Sequence, residues 1–153
     1  MKPSLPTMSV DRTILSNAEN ALKTEWLVTN GLGGYASSTV LGMNTRKYHG
    51  LLVAAMNPPV DRHVLLATVD EEILVSDQSF KLNAVSPDAF SLDPLPTYTY
   101  RTTQRLHLKK TIFMPHQKNA STILYEATNS SKEEAEISIS PLINCRDFHS
   151  VTN

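Results

Sequence analysis

The sequence predicts an antiparallel all-β fold, most simply a β-sandwich. Apolar and β-branched runs of strand length recur at short, even spacing. Gly, Pro, Asn, Asp and Ser clusters separate them, and no segment carries the apolar period of a long amphipathic helix. Together these features describe strands joined by turns rather than alternating strand–helix units. A length of 153 residues fits one domain with a real core.

The elements follow in order. Residues 1–18 hold two prolines among mixed polar residues and read as a flexible, extended arm before a domain spanning 19–153. Ala18 to Lys23 allows one helical turn. Glu25-Trp-Leu-Val-Thr29 is a strand, stopped by the Asn30-Gly-Leu-Gly-Gly34 turn. Tyr35 to Leu41 is a second strand, and Tyr48 to Ala55 a third with the buried run Leu51–Ala55. Asn57-Pro-Pro-Val-Asp61 is a turn. His63–Val69 and Glu72–Val75 read as two short strands joined through Asp70-Glu71. Residues 84–96 hold three prolines and read as a loop pinned by Phe90 and Leu92.

From Arg105 to Met114 the residues alternate. One face carries Leu106, Leu108, Ile112 and Met114, with Lys110 as its exception. Ser121–Thr128 continues as a strand, and 129–133 is a polar hairpin loop. Ala135, Ile137 and Ile139 then face inward, and Pro141 ends the regular part.

Composition narrows the function classes. Net charge is −1, from 14 basic and 15 acidic residues, which argues against nucleic acid or an anionic membrane as partner. One cysteine, Cys145, excludes an internal disulfide and suits a reducing compartment. With no secretory signal and no apolar run of membrane length in view, the expected location is cytoplasmic.

All five glycines, Gly31, Gly33, Gly34, Gly42 and Gly50, lie between Glu25 and Ala55, with the single tryptophan, Trp26. Gly31-Leu-Gly-Gly-Tyr-Ala36 matches the dinucleotide fingerprint in form only. The residues after it are strand-like, and no acidic residue follows at the ribose-binding distance. A glycine-rich hairpin or bulge explains the run better. Thr45-Arg-Lys-Tyr-His-Gly50 sets a guanidinium, a phenol and an imidazole together, a set able to meet sugar hydroxyls. The plainer alternative pairs Arg46 with a carboxylate and buries His49. Arg146-Asp147-Phe148-His149 holds a carboxylate–histidine pair but no nucleophile elbow to complete a triad. Carboxylates for glycoside hydrolysis would have to come from Asp70, Glu71, Glu72 or Asp147. The first three read more simply as a solvated turn. The five histidines show no metal-ligand spacing, so no metal and no cofactor is expected.

Longer stretches carry a resemblance. Glu25-Trp-Leu-Val-Thr-Asn-Gly-Leu-Gly-Gly-Tyr35, Asn44-Thr-Arg-Lys-Tyr-His-Gly-Leu-Leu-Val-Ala54, Pro58-Pro59, Leu65-Leu66, Asp70-Glu71, Leu92-Asp-Pro-Leu-Pro-Thr-Tyr-Thr-Tyr100 and Pro141-Leu-Ile-Asn-Cys-Arg-Asp-Phe-His-Ser150 occur in this order. The chain resembles the N-terminal domain of bacterial and archaeal-type glycogen debranching enzymes (amylo-α-1,6-glucosidases) over most of residues 25–150. Residues 83–91 depart from the pattern, being shorter than the family's usual segment. The resemblance implies a supersandwich-like domain of a glycoside hydrolase of glycogen catabolism. It also implies further strands and a catalytic α/α barrel beyond these residues, so that the chain is an incomplete sandwich without the catalytic acids. Expected partners are that barrel and α-glucan, with self-association through uncovered edges. Asn30, Gly31, Gly33, Gly34, Thr45, Arg46, Tyr48, His49, Arg146, Asp147 and His149 are the candidates for a barrel-facing or glucan-side surface.

Overall fold

The computed structural model describes residues 7–102 and 105–150. Two antiparallel sheets pack face to face. The six-stranded sheet contains β2 (Glu25–Thr29), β3 (Tyr35–Thr39), β4 (Gly50–Asn57), β5 (Val60–Val75), β6 (Gln78–Lys81) and β11 (Ala135–Asp147). Its order is β11-β5-β4-β3-β2, with β6 also paired to β5. The five-stranded sheet contains β1 (Met8–Asp11), β7 (Ala89–Leu92), β8 (Pro96–Arg101), β9 (Leu106–Phe113) and β10 (Thr122–Asn129), in the order β1-β7-β8-β9-β10. The all-β sandwich expected from the sequence is therefore the fold. Among the described residues no helix is long and apolar enough to cross a membrane.

The core lies between the sheets and is anchored by aromatic residues from both. Trp26 Nε1 donates to the Tyr98 hydroxyl at 2.5 Å, and that hydroxyl donates to the Thr39 carbonyl at 2.7 Å. Phe90 and Tyr98 meet edge to face at 5.0 Å between centroids. The buried indole and phenol thus keep their polar ends satisfied while their rings fill the interior. Burial pushes the Tyr98 hydroxyl pKa well above its ordinary value.

Several elements differ from the expectation. Part of the N-terminal arm is structured: β1 pairs with β7, and Asp11 caps α1 (Arg12–Leu15) by accepting from the Thr13 and Ile14 N–H groups. Residues 1–6 of that arm lie outside the described residues. α2 (Ala18–Lys23) follows as anticipated, capped by Asn17. The segment 84–96 is more than a loop. It contains β7 and the first residue of β8, although Phe90 is indeed buried there. The third strand begins at Gly50, not Tyr48.

The two short strands around Asp70-Glu71 are one strand, β5, sixteen residues long. Asp70 and Glu71 are therefore not a turn. Their acidity misled because Glu71 is 4 % exposed and meets Lys110 Nζ at 2.5 Å across the sheets, while Tyr125 donates to the same oxygen at 2.5 Å. Lys110 keeps its place on the buried face of β9. The alternation of that strand is thus intact, and its polar exception has a buried partner.

Pro141 does not end the last strand. It lies within β11, an edge strand, where a residue without an N–H is tolerated. Ala135 and Ile137 pack against the core, but Ile139, expected inside, is 47 % exposed, and Ile143 is 80 % exposed. Register shifts after Leu142 and Ile143 bend β11 so that Arg146 comes opposite Val64 and Asp147 opposite His63. This bend positions the Arg-Asp-Phe-His segment described next.

Candidate functional site

The glycine loop is built around Asn30, whose side chain is fully buried. Its Oδ1 accepts from the N–H groups of Leu32 (2.9 Å) and Gly34 (3.0 Å). Its Nδ2 donates to the Lys118 carbonyl (2.9 Å) and to Asn119 Oδ1 (3.1 Å). Both ends of the amide are engaged, so Asn30 holds the loop closed and has no free valence for a ligand. Gly33 sits at φ +95°, and a β-carbon there would lie 2.4 Å from the Pro59 carbonyl oxygen. Gly31, at φ +78°, is similarly pressed by the His116 ring. Packing against the Pro58-Pro59 turn and the His116 turn explains these glycines.

The segment 45–49 folds back over the sheet and is tied to β2. Arg46 Nε meets Glu25 Oε1 at 2.7 Å. His49 is 3 % exposed. Its Nδ1 accepts from the Thr45 N–H at 3.0 Å, so the neutral ring carries its proton on Nε2, which faces Glu25 Oε1 at 3.4 Å. Burial lowers the His49 pKa, and Glu25 partly opposes that shift. Among the sequence candidates, then, Arg46 is paired to a carboxylate and His49 is buried, while Thr45, Arg46 and Tyr48 of this group face solvent.

Segment 45–49 also meets the bent end of β11, about one hundred residues away in sequence. Arg146 donates to the carbonyls of Lys47, Asp147 (3.3 Å), Phe148 (3.5 Å) and Ser150 (2.8 Å). Asp147 Oδ1 accepts from the His149 N–H at 2.8 Å. Lys47 Nζ donates to the His149 carbonyl at 2.7 Å, and the Tyr48 hydroxyl lies 3.4 Å from His149 Nδ1. The Tyr48 ring packs on Phe148 at 5.4 Å and on His149 at 5.8 Å. Asp147 and His149 are therefore not arranged as an acid–base pair. The carboxylate caps the backbone, and the ring belongs to an aromatic cluster.

Two residues that the local sequence did not single out join this cluster to the glycine loop. Arg62 Nε donates to the Gly33 carbonyl at 2.6 Å, and its guanidinium lies 5.5 Å from the Phe148 ring centroid. Tyr35 donates to the Tyr48 carbonyl at 2.7 Å. Burial raises its phenol pKa, and the charges of Arg62 and Arg146 partly oppose that shift. Leu27, Thr29, the loop glycines, Tyr35 and Arg62 line a shallow groove alongside. Leu27, Thr29, Tyr35 and Arg62 project from the outer face of the six-stranded sheet, since Trp26 and Val28 between them turn to the core. Only the pairing of Ala55 with Arg62 across β4 and β5 reveals that Arg62 belongs here.

The fold and this surface define an antiparallel β-sandwich domain with a braced outer face, built from chain segments far apart in sequence. The family model described as glycogen debranching enzyme N terminal matches residues 24–153, and the chain belongs to that family. No curated protein and no solved structure matches it.

Proposed function

We propose that this chain serves as the non-catalytic N-terminal domain of a glycogen debranching enzyme. In this reading the outer face of its six-stranded sheet docks on the catalytic barrel and forms one wall of the glucan cleft. The supporting observation is the bracket made by Arg146. It joins segments 45–49 and 146–150 into one rigid surface beside a groove that leaves Leu27 55 % exposed. Family membership supports the enzyme context. The saturated hydrogen bonding of Asn30 and the burial of His49 favour docking over direct capture of sugar hydroxyls by these two residues. Thr45, Arg46, Tyr48 and His149 are the members still accessible to a glucan held by the barrel. A separately purified barrel domain and maltoheptaose test the assignment. The chain alone is expected to give a flat calorimetric titration with maltoheptaose, and the chain with the barrel a saturable one. Equal binding with and without the barrel would instead make this a free-standing glucan-binding module.

A second reading concerns the margin of the sandwich. Ile139, Leu142 and Ile143 leave an apolar strip on the β11 edge, which supports self-association of the isolated chain. Sedimentation velocity over a concentration series is expected to show it. A single monomer boundary throughout would remove that reading.

A further inference from the structure

The outer face carries an excess of positive charge held in a particular way. Five cations, Arg12, Lys23, Arg46, Lys109 and Lys110, reach a carboxylate within ion-pair distance, Arg46 doing so next to Lys47 through Glu25. Among the described residues Lys81, Arg101, Lys118 and Lys132 have no such partner, and neither do Lys47, Arg62 and Arg146 of the outer face. These last three are fixed by neutral groups instead. Lys47 is held by the His149 carbonyl and lies 5.1 Å from the Tyr48 ring centroid. Arg62 is held by the Gly33 carbonyl and lies over Phe148. Arg146 is held by four carbonyls. Carbonyl oxygens and ring faces orient a cation without cancelling its charge. The one carboxylate in the cluster, Asp147, is engaged through Oδ1 with the His149 N–H. The whole chain is close to neutral, at −1, so this local excess is not a matter of composition.

The same geometry argues against a sugar-stacking platform. Tyr48 contacts Lys47, Phe148 and His149, while Phe148 contacts Arg62, Tyr48 and His149. The rings hold cations in place rather than standing open to a pyranose. Pre-set cations lose little side-chain freedom when a carboxylate arrives, and a guanidinium–carboxylate contact is among the stronger polar contacts. The groove beside Arg62, with Leu27 on its wall, provides room for an apolar neighbour of that carboxylate.

We propose that the Lys47–Arg62–Arg146 surface is the receptor for an acidic segment, bearing Asp or Glu side chains, on the catalytic domain of the same enzyme. This rests on the docking reading above and names the chemistry of the partner. Hexa-L-glutamate is the carboxylate probe and maltohexaose the neutral one, each titrated into the isotopically labelled full chain and read by amide NMR. The peptide is expected to shift the resonances of Lys47, Arg62 and Phe148 saturably. Its affinity should fall about tenfold between about 20 mM and about 300 mM NaCl. Lys47→Gln should weaken it several-fold with the remaining spectrum unchanged, and Lys47→Arg should restore it. A flat glutamate titration overturns the acidic partner, and so does maltohexaose shifting these resonances where the peptide does not. Neither result touches the docking reading, which is decided separately by where the barrel domain protects the chain.

Discussion

Lys110→Met tests how the interior of the sandwich is held, and whether Glu71 is a structural carboxylate. Glu71 and Lys110 are both buried, from opposite sheets, and Tyr125 donates to the carboxylate oxygen that Lys110 meets. Burial and the neighbouring Glu71 push the Tyr125 pKa up, so the phenol stays protonated as a donor. Removing the ammonium leaves a carboxylate buried with one neutral partner. Breaking a buried pair in this way costs about 3–5 kcal/mol. That is a large share of the roughly 5–15 kcal/mol that holds a domain of ordinary stability. With a urea dependence of about 2 kcal/mol per M, the unfolding midpoint should fall by about 2 M at neutral pH. Adding Glu71→Gln keeps an acceptor for Tyr125 and removes the unpaired charge, so the double variant should regain most of the loss. Equilibrium urea unfolding of the wild type, both single variants and the double variant closes the cycle. The reasoning fails if Lys110→Met shifts the midpoint negligibly, or if Glu71→Gln gives it no relief.

Two further outcomes follow from the site. His49 is held below its ordinary pKa by burial, so the unfolded chain binds a proton more readily than the folded one. Its stabilising contribution is complete above the unfolded value of about 6.5 and is lost as pH falls from there through the folded pKa. Loosening of segment 45–49 should accompany that loss, because protonated Nδ1 cannot accept from Thr45; His49 NMR titration and amide exchange at Thr45 report both. Gly33→Ala places a β-carbon against the Pro59 carbonyl at a backbone conformation costing about 1–3 kcal/mol on its own. Thermal unfolding should reveal a clear destabilisation, whereas a change within error would mean that the loop is not clamped by the Pro58-Pro59 turn.

What the sequence disclosed depended on whether a signal was local. The alternation in β9 was legible because period two is a property of a single strand, and Lys110 stood out within it. Its partner was hidden, since Glu71 sits in an acidic run that looks solvated until the opposite sheet covers it. Pro141 read as a break, yet on the edge strand β11 it removes a donor that pairing does not need, while Pro87 and Pro94 lie outside β7 and β8 and Pro96 is the first residue of β8. The arm hid β1 because a four-residue strand is defined by its pairing with β7, not by its own pattern. Within the candidate site, the close spacing of the glycines, Arg46, Tyr48 and His49 made this stretch legible as one local cluster. Arg62 and Tyr35 were missed because tertiary pairing alone brings them to the cluster. The role of Asn30 also changed with the fold, since its buried amide is fully engaged within the loop, and Arg146 proved to bridge segments 45–49 and 146–150.

Hydrogen exchange of the chain with and without a purified catalytic barrel domain bears most directly on the docking surface. Protection is predicted at residues 27–35, 43–49, 60–62 and 146–150, on the outer face of the six-stranded sheet. Protection confined to the five-stranded sheet, or no protection anywhere, would contradict the assignment of that face to the barrel.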